Sequence, residues 1–152
     1  MENSKLSLVL ANAAATEELG RALAKLVRAG DVILLYGDLG AGKSTLARAL
    51  IQTLARADID VPSPTFTLVQ TYEYEPPIWH FDLYRLTDYR EVEELGFDES
   101  ADGLALVEWP ERLGDNLPPS RLDVRLDFAE HGRKAILSFH GNWTTRIDAL
   151  RP

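Results

Sequence analysis

The stretch Val32–Leu50, VILLYGDLGAGKSTLARAL, constrains this chain more than any other. It reads as an apolar strand, Val32–Tyr36, then a glycine loop, then a helix that opens at Lys43. The loop Gly37-Asp38-Leu39-Gly40-Ala41-Gly42-Lys43-Ser44 satisfies G-x-x-x-x-G-K-[ST] at each fixed position. Glycines let the backbone fold tightly around a polyphosphate, with successive N–H groups turned inward. The following helix adds its free N–H groups and the positive end of its dipole. Lys43 is placed to reach β/γ-phosphate oxygens, and the Ser44 hydroxyl to ligate Mg²⁺. A glycine turn without a ligand is the weaker reading, because strand and helix flank the loop on the correct sides.

Length and charge narrow the rest. The 152 residues suit one domain spanning 1–152. No apolar run approaches a membrane span, and the start MENSKLSLVL lacks the basic-then-apolar order of a signal peptide. The absence of cysteine excludes disulfides and thiolate metal sites and suits a cytoplasmic protein. His80, His131 and His140 show no metal-ligand spacing and read as surface or half-buried strand residues. Asp and Glu outnumber Lys and Arg by 24 to 16, giving a formal charge of −8. A chain that grips RNA or DNA by itself normally carries a basic face, so contact with nucleic acid is expected only through a partner.

Before the glycine loop, Leu6, Leu8 and Leu10 alternate as a short strand. Thr16 reads as an N-cap with Glu17 and Glu18 in the first turn. Leu19, Ala22, Leu23, Leu26 and Val27 follow on one helical face, and Gly30 ends that helix. Beyond the loop, Leu46, Leu50, Ile51 and Leu54 form the buried stripe of the second helix. Val61–Thr67, VPSPTFT, cannot be helical because its prolines hold the backbone extended. Its hydroxyls stand where nucleotide hydrolases keep a phosphate-sensing segment, although a plain connection fits equally well.

Leu68–Tyr74 and Ile78–Tyr84, joined by Glu75-Pro76-Pro77, predict an antiparallel hairpin. Asp88 with Glu91 forms a capping box for a short helix, Tyr89–Leu95, stopped by Gly96. Leu104–Val107 is a buried strand ending at Glu108, and Pro110 opens a short helix. Arg121–His140 alternates on either side of the turn Glu130–Arg133 as a second hairpin. The fold class is α/β: a P-loop-type three-layer fold around a mixed sheet with antiparallel hairpins.

A phosphate loop needs an acidic partner for Mg²⁺, ordinarily at the end of an apolar strand. Glu108 and Asp82 both qualify. Only Glu108 follows an uninterrupted apolar run, so it is assigned as the metal carboxylate, and Asp82 as an acid that either supports the metal site without touching the ion or orients water. Trp109 reads as core first, with stacking surface or partner contact as alternatives. Arg85 and Arg133 read as surface ion pairs, and no arginine finger is assigned.

Five segments now stand in order: GDLGAGKST (37–45), PSPTFTLV (62–69), HFDLYRL (80–86), EELGFDE (93–99) and LVEWPER (106–112). Together they resemble the TsaE family, small bacterial ATPases of tRNA threonylcarbamoyladenosine biosynthesis, over about Thr16 to Arg133. The resemblance implies ATP and Mg²⁺ as cofactors. It also implies a TsaB–TsaD heterodimer as partner, acting on adenosine 37 of tRNA, so that tRNA is reached only through the complex. By motif, Asp38, Gly40, Ala41, Gly42, Lys43, Ser44 and Thr45 bind nucleotide, and Ser44 with Glu108 holds the metal. Glu111 and Arg133 approach the nucleotide, while Lys43, Asp82, Glu108 and Thr65 of the Ser63–Phe66 loop carry catalysis. Ser44 departs from the more usual Thr, and either hydroxyl can serve. Slow hydrolysis alone, accelerated by the partner, is expected where no arginine finger is present.

Two other readings stay open. A small kinase of a nucleoside or metabolite would need an arginine-bearing lid, and no arginine-rich insertion follows the loop helix. A nucleotide-gated scaffold with incidental hydrolysis uses the same fold. A GTPase is disfavoured by the lack of an N-K-x-D motif.

Overall fold

The computed structural model describes residues 4–38, 40–65 and 67–151. Leu39 of the glycine loop and Phe66 of the following proline segment lie outside the described residues. Strand β1 (Lys5–Leu10) is followed by helix α1 (Ala13–Ala24), β2 (Val32–Tyr36) and α2 (Lys43–Ala55). A hairpin of β3 (Val69–Tyr72) and β4 (Ile78–Asp82) precedes α3 (Tyr89–Glu94). Then come β5 (Leu104–Glu108), a 3₁₀ turn (Pro110–Leu113), β6 (Arg121–Phe128) and β7 (Arg133–His140). A 3₁₀ segment, Gly141–Leu150, closes the chain.

The seven strands form one mixed sheet in the order β1-β7-β6-β2-β5-β4-β3. Its centre is parallel, β6-β2-β5-β4, and its edges are antiparallel. Burial on both faces explains why β2 and β5 read as unbroken apolar runs. The period of two sends neighbouring residues to opposite sides. Ile33 and Leu35 join a core with Leu23, Leu46 and Leu50 of α1 and α2, whereas Leu34 joins one with Phe81, Val92 and Leu113. The molecule is therefore an α/β fold of three layers, as the sequence pattern implies. Helices α1 and α2 pack closely: a Cβ on Gly20 would stand 2.6 Å from the Leu46 carbonyl oxygen. Among the described residues no helix is long and apolar enough to cross a membrane.

Both hairpins, the capping box at Asp88 and the short turn opened by Pro110 form where the sequence places them. Three local readings are corrected. The first helix starts at Ala13, capped by Asn12, whose Oδ1 accepts from the Ala15 N–H at 2.9 Å. Thr16 is thus buried inside the helix, and its first turn carries no acid. Asn is at least as good a cap as Thr, and starting four residues earlier lets α1 bury Thr16, Leu19 and Leu23 together. That helix also ends at Ala24, well before Gly30, which turns at φ 94° into β2. Leu26 and Val27 pack on the core from the connection rather than from a helical face. Finally, Arg133 is the first residue of β7, not part of the turn.

The closing segment, unmarked in the sequence, is held by a buried pair. Arg146 donates to both carboxylate oxygens of Asp31, at 2.6 and 3.2 Å, and stacks its guanidinium on Trp143.

Candidate functional site

Parallel strands all point their carboxyl ends the same way, and clefts form outside those ends. Here β2 runs into the glycine loop, while β4 and β5 end in register at Asp82 and Glu108. Gly37 leaves β2 at φ 145°, and a Cβ there would meet the Leu126 carbonyl oxygen at 2.5 Å. Gly42 caps α2 at φ 110°, a left-handed conformation that favours glycine. Ala41 sits beneath the loop as part of the core and anchors it.

These elements enclose a cavity of about 210 Å³ lined by Gly40, Gly42, Lys43, Ser44, Thr45, Ser63, Thr65, Asp82, Glu108 and Trp109. The sequence-named residues Lys43, Ser44, Thr65, Asp82 and Glu108 are thereby brought together from four separate segments. Glu111 and Arg133 are not in this group. Glu111 is exposed on the 3₁₀ turn, near enough for its charge to act on Lys43. Arg133 lies behind the loop, donating to the Gly40 carbonyl at 3.1 Å and stacking on Phe128. It lines a second cavity, of about 150 Å³, with Asn12, Thr16 and Gly132. Gly40, Gly42 and Thr45 line both, so the loop forms the wall between them. Asp38 is exposed at the loop's edge, where its carbonyl accepts from the Ala41 N–H.

Lys43 is 5% exposed, yet its Nζ has no hydrogen-bond partner among the described residues. Burial pushes its ammonium below the ordinary lysine range, and the carboxylates of Glu108, Glu111, Asp82 and Asp38 pull it part of the way back. Its Nζ lies over the Trp109 ring, 3.7 Å from the centroid. Trp109 is half-buried: it packs against the core of Leu34, Phe81 and Val107, in keeping with the core reading, and from a left-handed turn at φ 58° it also lines the cavity.

At the end of β4, Asp82 is held at both oxygens. Oδ2 accepts from the Thr65 hydroxyl at 3.2 Å and Oδ1 from the Tyr84 N–H at 3.0 Å. Ser63 and Thr65 share a 2.8 Å hydroxyl contact, so the proline segment is tied to the end of β4. Among the described residues no three acidic or histidine side chains cluster as an all-protein metal cage. A buried unpaired ammonium beside a Ser hydroxyl and two strand-end carboxylates fits a metal–polyphosphate ligand on its chemistry.

His80 was missed. Far from being a surface residue, it is 2% exposed, and its Nε2 lies 2.7 Å from Glu108 Oε2. The available signal was parity: in β4, His80 shares a face with Asp82 two residues on, so the same alternation carries both inward. His131 is exposed and His140 half-buried, in keeping with expectation.

Comparison with known proteins now has a geometry to meet. The family model described as Threonylcarbamoyl adenosine biosynthesis protein TsaE matches residues 10–136. The chain belongs to the TsaE family. It is 39% identical over 129 residues to the tRNA threonylcarbamoyladenosine biosynthesis protein TsaE of Rickettsia felis, covering 84% of this chain and 75% of that one. The protein of the same name from Streptomyces coelicolor is 44% identical over 117 residues, 74% of this chain and 78% of its own. The one from Bacillus subtilis is 39% identical over 112 residues, 72% of this chain and 69% of its own. Among solved structures, that of YdiB from Bacillus subtilis superposes with a TM-score of 0.72 at 28% identity, covering 95% of both chains. The TsaE match takes in the whole candidate site, from the glycine loop through Arg133.

Proposed function

We propose that this chain is a single P-loop ATPase domain, residues 1–152, acting in the biosynthesis of N6-threonylcarbamoyladenosine at position 37 of tRNA. The observation that carries the reading is the convergence of Lys43, Ser44, Thr65, Asp82 and Glu108 around one cavity at the carboxyl ends of β2, β4 and β5. The TsaE names of its relatives supply the process.

In this reading Gly40, Gly42 and Thr45 cradle the phosphates, with Asp38 and Ala41 shaping the loop. The cavity behind the loop, with Asn12, Thr16 and Arg133, takes the nucleoside end of ATP. Ser44 and Glu108 would hold Mg²⁺, which would supply positive charge to offset that of the phosphates. Lys43 leaves the Trp109 ring for the γ-phosphate oxygens and neutralises charge as the bond to the leaving ADP breaks. Asp82, steadied by Thr65 and Tyr84, keeps lone pairs free to orient the attacking water. The products are ADP and phosphate. Glu111 adds negative charge at the rim. The chain acts in the cytoplasm on a TsaB–TsaD complex, and its formal charge of −8 fits contact with tRNA only through that complex.

The test is ATP hydrolysis with and without purified TsaB–TsaD, beside a Lys43→Ala control. Slow turnover alone, stimulated by the complex and lost in the variant, is expected. Equal rates with and without the complex would remove the partner from the reading. Partner function retained by a Glu108→Ala variant that still binds nucleotide would favour a scaffold with incidental hydrolysis.

A further inference from the structure

His80 has no part in the chemistry above, yet its burial demands an explanation. An imidazole at 2% exposure loses its hydration, and here Nδ1 regains no hydrogen bond among the described residues. An apolar side chain would sit beside its strand partner Leu106 without that cost. The polar contact that offsets it is the 2.7 Å bond from Nε2 to Glu108 Oε2.

The register shows how the two meet. His80 pairs with Leu106 and Asp82 with Glu108, so the imidazole lies one step below the strand ends on the same face. Glu108 lines the cavity and His80 does not. The ring therefore approaches the carboxylate from inside the protein, while Asp82 stands beside it. A carboxylate oxygen is an acceptor, so the contact is satisfied with Nε2 as donor, and Nδ1 has no partner among the described residues.

We infer that His80 is a positioning residue for Glu108. It holds Oε2 and fixes the carboxylate rotamer so that the other oxygen serves the divalent cation in the cavity. Carboxylates that bind metals are commonly hydrogen-bonded in this way, and loss of the supporting group weakens metal affinity by about 10–100-fold. The inference rests on the reading of Glu108 as the metal carboxylate.

The experiment is calorimetric titration of a non-hydrolysable ATP analogue into the full chain, with and without MgCl₂, repeated with MnCl₂. In the unmodified chain the cation is expected to strengthen binding. In His80→Phe, which keeps a ring but no donor, that gain is expected to fall about tenfold while metal-free binding stays within about twofold. His80→Gln, whose amide reaches the position of Nε2, is expected to restore it. Adding His80→Phe to a Glu108→Gln chain is expected to cost nothing further. If His80→Phe does not fold, His80→Asn takes its place, because its amide stops short of Oε2 and the same loss should follow. A full cation-dependent gain in the donor-less variant overturns the inference. So does a His80→Gln chain as defective as His80→Phe, or an equal fall in metal-free and metal-dependent binding. An unmodified chain that gains nothing from either cation overturns the reading of Glu108 itself, which is a distinct result.

Discussion

The ammonium of Lys43 stands 3.7 Å from the centroid of the Trp109 ring, almost fully buried and without a hydrogen-bond partner among the described residues. A ring face is a weaker partner for a cation than phosphate oxygens, so ligand-free Lys43 is under-satisfied.

Replacing Lys43 with Met should therefore stabilise the ligand-free chain at neutral pH, by about 1 kcal/mol, while abolishing nucleotide binding. The pH dependence follows from the lowered lysine. Between its folded value and the ordinary 10.5 the unfolded chain binds more protons, so this group makes stability rise with pH. The gap between Lys43→Met and the unmodified chain should narrow as pH rises toward 10. Denaturant melts of both proteins across alkaline pH measure it, and a constant gap would refute the assignment.

Nucleotide that draws Lys43 away must change the surroundings of Trp109. Indole emission should shift on titration with ATP analogue, and the shift should vanish in Trp109→Phe although Trp79 and Trp143 remain. The same shift persisting in Trp109→Phe would place the response elsewhere.

Asp82 is predicted to act on water rather than on nucleotide affinity. Asp82→Asn should lower hydrolysis by about 100-fold with affinity changed less than about threefold. Thr65→Val should cost less, about tenfold, because Asp82 keeps its bond from the Tyr84 N–H. Single-turnover rates beside binding titrations separate the two effects. A loss confined to affinity would remove Asp82 from the chemical step.

Away from the site, the buried Arg146–Asp31 pair ties the closing 3₁₀ segment to the loop before β2. Truncating one partner strands the other charge, so Arg146→Ala should cost about 3 kcal/mol. Nucleotide affinity of the folded variant should be unchanged, since neither residue reaches the cavity. Thermal melts and one titration suffice to check both.

Much of this architecture was legible in the chain. The runs VILLY and LALV are apolar without alternation, and only strands covered on both faces have that pattern, so β2 and β5 were readable as central. Turn chemistry marked both hairpins, since Glu75-Pro76-Pro77 and the Gly132 turn cannot continue a strand. The start of α1 was misread because Asn12 and Thr16 are both competent caps. Burial of Thr16, a tertiary quantity, chose between them.

The site divides along the same line. Local sequence determined the glycine loop, because its left-handed backbone at Gly40 and Gly42 is one that glycine at fixed spacing permits. It also marked Asp82 and Glu108 as strand-end acids. Which strands lie side by side is a long-range matter. The order β2-β5-β4 puts Asp82 level with Glu108 and carries His80 to within 2.7 Å of it, across 28 positions of sequence. No periodicity records that contact, since a histidine facing a core and one facing a carboxylate occupy the same place in an alternating strand. Sequence dictated the elements and the chemistry of the loop through local sterics and burial pattern. Tertiary packing alone decided which side chains would share the cavity, because strand pairing sets the distances between residues that the chain keeps far apart.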